Sequence, residues 1–249
     1  ILNDNIVSYA AIVDDGIIVM LKRSLGLTAK QKLIFQFILA FGFLYIACHV
    51  LGRGTDLIVP FSHYKWQLGV LYYPLMAVFM VLMVNAVNLT DGLDGLAGGI
   101  SFLVIIGYMI IALLSAHKPP VNTFNYNDIA VSAGALAGGV LAFLFFNKYP
   151  AKIFMGDTGS LALGGAVMAF AILTKTELIF ILIGGVYLIE ALSVLIQVTS
   201  FRLTGKRVFK MSPIHHHFEM CGWPETRVVR TFWLTAAVCV ILGLCITLL

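Results

Sequence analysis

Residues 85–99 (NAVNLTDGLDGLAGG) set two Asn, a Thr, two Asp and four Gly between apolar runs with almost no loop. Asp91 and Asp94 are three apart, which in a helical turn brings both carboxylates near one face. Gly92 and Gly95 let backbone approach a ligand closely. A helix cap needs only one residue such as Thr90 or Asp91, so this density of polar side chains reads as a binding site. Residues 147–160 (NKYPAKIFMGDTGS) again join two apolar runs. Pro150 stops a helix, and Asp157 with Thr158 opens the next, where backbone N–H groups and the helix dipole favour an anion or a capping carboxylate. An Asp beside Gly156 can ligate Mg2+ while the amides take phosphate oxygens, and Phe154 can offer a ring face to a base. The plainer alternative is Asp157 as an N-cap and Phe154 as an interfacial aromatic.

Residues 212–219 (SPIHHHFE) carry three consecutive His, which cannot all face one way, so a closed zinc site from them alone is not expected. Imidazoles near neutrality can hydrogen-bond or protonate a phosphate. Arg202, Lys206, Arg207 and Lys210 before them, and Arg227 and Arg230 after, would lay a positive field over a cleft mouth. Asp14 and Asp15 are adjacent carboxylates that repel unless a cation or a Lys neutralises them, and Lys22, Lys30 and Lys32 follow closely. They are a metal or acid–base pair, or else a polar cap at a membrane edge. Glu190 is the one acid inside an apolar run, where an unpaired charge costs roughly 2.5–3.5 kcal/mol or more. The span is expected to break or bend nearby and let Glu190 reach the aqueous surface, a relay or ion ligand being the alternative.

The elements that position these residues follow from composition. The chain is 60% hydrophobic and 11% charged over 249 residues, with mean hydropathy +0.98, which excludes a soluble globule. Apolar runs long enough to cross a bilayer lie near 33–51, 68–87, 95–116, 129–146, 158–174, 178–200 and 231–249. An uninterrupted apolar run would put half the residues of a barrel strand on the wrong face, so the spans are helices. The expected fold is all-α, a polytopic transmembrane bundle forming one catalytic domain over 1–249. Residues 1–13 read as the tail of an earlier span, and no signal peptide follows Ile1. Four single Cys, none in a CxxC pair, indicate neither a disulfide framework nor a zinc knuckle. Threading the spans alternately puts twelve Lys and Arg on one side and four on the other, so the first side is expected to be cytoplasmic. Every motif above falls on it, with Asp14, Asp15, Asp91, Asp94, Asp157, Glu219 and Glu225 among its bases. Carboxylates crowded among bases suit a divalent cation and phosphate handled together. A transporter is the rival class, but transporters place charges near the midplane and often show inverted repeats, neither of which is visible here.

Residues 85–99, the run FMGDTGSLALGG at 154–165 and the run SPIHHHFEMCGW at 212–223 together resemble the polyprenyl-phosphate N-acetylhexosamine-1-phosphate transferase superfamily. The HHHFE form is similar to its phospho-N-acetylmuramoyl-pentapeptide transferase branch, more than to relatives that use UDP-N-acetylglucosamine. The likeness runs from about Asp14 to the C-terminus. It implies ten transmembrane helices, so seven spans and a fragment suggest that the family's first helices, with some nucleotide contacts, are missing here. It also implies a cytoplasm-facing cleft in the bacterial plasma membrane, Mg2+ and a homodimer. The implied reaction moves phospho-MurNAc-pentapeptide from UDP-MurNAc-pentapeptide to undecaprenyl phosphate, a membrane lipid, giving lipid I and UMP. No nucleic-acid partner is expected. Asp157 matches the family's metal-binding Asp. Asp14 is expected to act as base on the lipid phosphate with Asp15 positioning metal and substrate, a covalent enzyme-phosphosugar scheme being the competitor. Asn88, Asp91, Gly92, Leu93 and Asp94 are expected to hold the uridine end with Phe154 stacked on uracil. Lys30, Lys32, Asn147, His215, His216 and His217 complete the expected substrate contacts. One departure is Ile18, which stands where the family commonly has Lys, with Lys22 or Lys30 as the replacement.

Overall fold

The computed structural model describes residues 28–62, 64–116 and 125–248. The expected fragment at 1–13, Asp14, Asp15, Ile18 and Lys22 lie outside the described residues. Among those described, seven helices are long and apolar enough to cross a membrane, at positions matching the seven apolar runs, and the chain is a multi-pass membrane protein. They are α1 (Ala29–Tyr45, continued by a π-turn over Ile46–Val50), α2 (Tyr72–Thr90), α3 (Leu96–Ser115), α4 (Tyr126–Asn147), α5 (Gly156–Leu173), α7 (Gly185–Thr204) and α9 (Glu225–Leu248). Two shorter helices, α6 (Glu177–Ile183) and α8 (Ile214–Met220), a 3-10 turn over Gly69–Leu71 and an antiparallel hairpin of β1 (Asp56–Ile58) with β2 (Lys65–Gln67) complete the described elements.

The run at 178–200 breaks near Glu190, as expected, at Gly184 between α6 and α7, where paired glycines remove the side-chain packing that keeps a helix straight. The stretch 201–228 between the last two apolar runs holds more helix than those runs suggest, because α7 runs on to Thr204, α8 lies inside it and α9 begins at Glu225. The hairpin was not legible in the sequence, since three-residue strands leave too short an alternation to read.

Helix α1 starts on a capping box in which the Thr28 hydroxyl accepts the Gln31 N–H and the Gln31 side chain accepts the Thr28 N–H. This fixes Lys32 one turn into the helix. The buried core is built from α2, α3 and α5 with the inner faces of α4 and α9, while large apolar side chains of α1 and α7 such as Ile34, Ile38, Leu195 and Phe201 stay exposed. That is the surface expected where lipid replaces water. The decisive close approach is between α2 and α5. A Cβ on Gly164 would lie 2.8 Å from the Val84 Cα, so only glycine admits this spacing. One turn further toward the same end of each helix stand Asn88 and Ser160, and the Asn88 amide donates to the Ser160 hydroxyl at 2.9 Å. Small-residue packing in the apolar layer therefore sets the register of the polar groups above it.

At the opposite end Arg53 is fully buried. Its Nε donates to the Ile172 carbonyl at 2.9 Å, its Nη1 to the Gly54 and Asp56 carbonyls at 3.1 and 2.9 Å, and its Nη2 to Glu177. The Tyr72 hydroxyl donates to the same Glu177 oxygen at 2.7 Å, and Lys175 pairs with Asp56 at 2.7 Å. Arg53, Glu177, Lys175 and Asp56, four of the charges on the base-poor side, thus form a single knot joining the hairpin to the α5–α6 turn.

Candidate active site

The motif ends meet at one end of the bundle around a cleft of about 310 Å³. The turn between α2 and α3 contributes Asn88, Asp91, Gly92, Leu93 and Asp94, and the segment from α4 into α5 contributes Asn147, Phe154, Gly156 and Asp157. Asp157 does not cap α5: Met155 holds the N-cap position, and the carboxylate turns outward. Lys32 Nζ donates to its Oδ2 at 3.1 Å and Asn88 Nδ2 to its Oδ1 at 3.0 Å. Half of the Asp157 side chain remains exposed, so the carboxylate is held yet open to a ligand. Phe154 is 75% exposed, which leaves its ring face free for stacking. Lys32, and not Lys30, reaches the carboxylate: Lys30 is exposed in the first turn of α1 and does not line the cleft.

Two expected substrate contacts also build the site. Asn147 is buried, with Oδ1 accepting the Gly95 N–H at 3.1 Å and Nδ2 donating to the Ile153 carbonyl at 2.9 Å, so it fastens one motif to the other. His217 accepts the Lys210 N–H at Nδ1, 3.1 Å away, and stands edge-on to Phe209, which makes it a brace of the 208–217 segment. A sequence gives no sign of this because both side chains are chemically fit for ligands. Asp94 is partly committed: its Oδ2 accepts the Ala151 N–H at 2.8 Å. Glu225, missed in the sequence, accepts the Asp94 N–H at 2.8 Å and ties the turn to α9. An acid in the first turn of a helix ordinarily answers the helix dipole, and this hid its role.

The three His do not all face one way: His215 and His216 both bring Nε2 toward Gly92 and His217 turns elsewhere. His215 is buried, His216 bonds Glu219 at 2.6 Å, and His217 braces its loop. Glu190 does not reach the surface as expected. It is fully buried, and the His-bearing segment comes to it instead. Arg202, Arg207 and Lys210 do not line the cleft: with Phe201, Met211 and Met220 they line a separate cavity of about 460 Å³.

Residues 5–175 match the model of a family described as glycosyl transferase family 4. The chain is 54% identical over 233 residues to the phospho-N-acetylmuramoyl-pentapeptide-transferase of Desulfitobacterium hafniense, covering 93% of this chain and 70% of that protein. Proteins of the same name from Clostridioides difficile and Bacillus subtilis are 51% and 50% identical, covering 92% and 93% of this chain and 69% and 68% of theirs. The chain belongs to the phospho-N-acetylmuramoyl-pentapeptide-transferase family. In this transferase the donor set of the cleft suits a hard cation. Asp157, Asp91 and Asn88 offer side-chain oxygens, and although no three His, Cys, Asp or Glu side chains cluster as a cage among the described residues, Mg2+ usually binds through one or two carboxylates with substrate phosphates.

The electrostatics of the transferase cleft agree. Asp91 lies just past the end of α2, and burial, together with the nearby Asp157 charge, pushes its carboxyl up from 3.8 to about 6. A cation beside Asp91 would relieve the cost of its ionisation. The folded state therefore favours protonated Asp91, so ionising it costs nothing below pH about 3.8 and the cost is complete above pH about 6. Asp91→Asn is expected to raise thermal stability in metal-free detergent by on the order of 2 kcal/mol at pH 8, and to change it little at pH 4. Melting curves at the two pH values check this. An equal gain at both would assign the effect to packing.

Proposed function

We propose that the chain transfers phospho-N-acetylmuramoyl-pentapeptide from UDP-MurNAc-pentapeptide to undecaprenyl phosphate, forming lipid I and UMP for peptidoglycan synthesis. The observation that carries this reading is the joining of Lys32, Asn88, Asp91 and Asp157 in one open cleft at the end of a membrane bundle. A nucleotide arriving from water and a phosphate carried on a lipid tail can meet only at such an edge. The reading places the chain in the bacterial plasma membrane, with the cleft facing the cytoplasm and the base-rich side inside, and takes the homodimer from the family resemblance.

An oxygen of the lipid phosphate attacks the sugar-bearing phosphorus, the bond to the uridylyl phosphate breaks, and UMP leaves with the electron pair. Both partners are anions, so the protein must offset their repulsion. Lys32 supplies a fixed positive charge beside Asp157, and Asn88 holds that carboxylate in place. Asp157, with Asp91 beside it, would hold Mg2+, which when bound neutralises phosphate charge and stabilises the leaving group. Phe154 offers its ring to uracil, and Gly92, Leu93 and the free oxygen of Asp94 lie against the uridine end. Asp14 takes the role of base that leaves the lipid phosphate dianionic, with Asp15 beside it. UMP release by the full-length protein with Mg2+, UDP-MurNAc-pentapeptide and a polyprenyl phosphate tests the reading. Absence of UMP would overturn it, and release with UDP-N-acetylglucosamine in its place would assign the chain to the other branch.

A further inference from the structure

Glu190 belongs to no motif and sits well inside α7, yet both of its carboxylate oxygens are engaged by the His segment. Oε2 accepts the Ile214 N–H at 3.0 Å, and Oε1 lies 3.1 Å from His215 Nδ1, with both side chains fully buried. The Ser193 hydroxyl donates to the Glu190 carbonyl at 2.7 Å, so the backbone at this turn is held as well. A carboxylate has only lone pairs to offer, so Nδ1 carries the hydrogen between them and Nε2 points away from the acid. Among the described residues that Nε2 has no hydrogen-bond partner. Its direction is fixed by what it would strike: a Cβ built on Gly92 would lie 2.4 Å from His215 Nε2 and 3.4 Å from His216 Nε2. Gly92 itself lines the cleft. The imidazole therefore fills the space a side chain at 92 would take, immediately behind the cleft wall.

From this geometry we propose that Glu190 is a positioning residue of the transfer reaction, holding His215 with Nδ1–H toward itself and Nε2 against Gly92 in the cleft wall. Ile214 N–H, taken by the same carboxylate, anchors the start of α8 so that the ring cannot turn away. So held, the ring backs Gly92 and fixes the wall against which the substrate lies. Glu190 touches no substrate and acts only through His215. The two residues are 25 apart in sequence and come from different elements, which is why the acid looked like a stray charge in a span. The proposal rests on the transferase reading, and wild-type UMP release must be observed first; failure there overturns that reading, while the comparison below addresses Glu190 alone.

The test is a double-mutant cycle on the full-length enzyme in detergent. Glu190→Gln keeps the size but offers one acceptor where two hydrogens must be met. Its kcat is expected to fall roughly 10–100-fold, the range found when the partner that orients a functional imidazole is removed, with KM for the UDP-sugar little changed. His215→Ala should fall at least as far, and adding Glu190→Gln to it should cost nothing more, because the acid then has no ring to position. A merely structural role would instead lower melting temperature in both backgrounds and multiply the losses. Wild-type kcat in Glu190→Gln, or multiplied losses in the double variant, overturns the proposal. If Glu190→Gln does not survive purification, Glu190→Asp takes its place in the same cycle and is read by the same criterion.

Discussion

Replacing Asp157 by Asn is expected to remove UMP release almost entirely while leaving the protein folded. The carboxylate is the meeting point of Lys32 and Asn88, which donate to its two oxygens at 3.1 and 3.0 Å. An Asn in its place presents one oxygen and one NH2 group, so a donor must face either the Lys32 ammonium or the Asn88 amide, and the charge that would hold a cation is gone. Losing one preorganised electrostatic group where charge develops costs roughly 10²–10³-fold in kcat, and the variant gives up the metal-holding charge as well. Stability should hardly move, because the pair with Lys32 is solvent-exposed on both sides and such pairs are worth about 0–1 kcal/mol. UMP release across a Mg2+ titration, read beside a detergent melting curve, checks both halves. Near-wild-type Mg2+-dependent turnover would show that Asp157 is not the principal ligand.

The second large effect lies at the far end of the bundle and is one of stability. Arg53→Ala would strip Glu177 of its buried counter-charge and leave the carbonyls of Gly54, Asp56 and Ile172 without the donor they share. Removing one partner of a buried ion pair costs about 3–5 kcal/mol, because the remaining charge has neither water nor partner. Tyr72 alone still reaches Glu177, and the other carboxylate oxygen has no partner among the described residues. Scanning fluorimetry in detergent should show a large fall in melting temperature, while the protein that survives retains its KM for UDP-sugar, since the cleft lies at the other end. Arg53→Met with Glu177→Leu should recover part of the loss and not all, because the hydrogen bonds from Arg53 to the three carbonyls stay missing. Full stability of Arg53→Ala would mean that the pair carries no weight in the fold.

Sequence alone determined the seven spans, their order and the meeting of the motifs at one edge, because hydropathy and helix length are properties of a single segment and alternation of spans then sorts the loops. It also singled out Asp157, Asn88, Asp91 and Phe154 as candidates, since so many polar side chains between apolar runs exceed what a helix cap needs. Tertiary structure decided which of those side chains remain available. Asn147 and His217 have the right chemistry and also brace the site. Glu190 and Glu225 gave no sign in the sequence of the partners they take, and hold His215 and the Asp91–Asp94 turn from other helices. Arg53 and Glu177, 124 residues apart, read as scattered surface charges until the hairpin folds against the α5–α6 turn. The physical reason is common to all of these. A side chain's partner is set by which helices approach and at what register, as Gly164 against Val84 sets Asn88 beside Asp157 and Ser160, and that register comes from packing between segments distant in the chain.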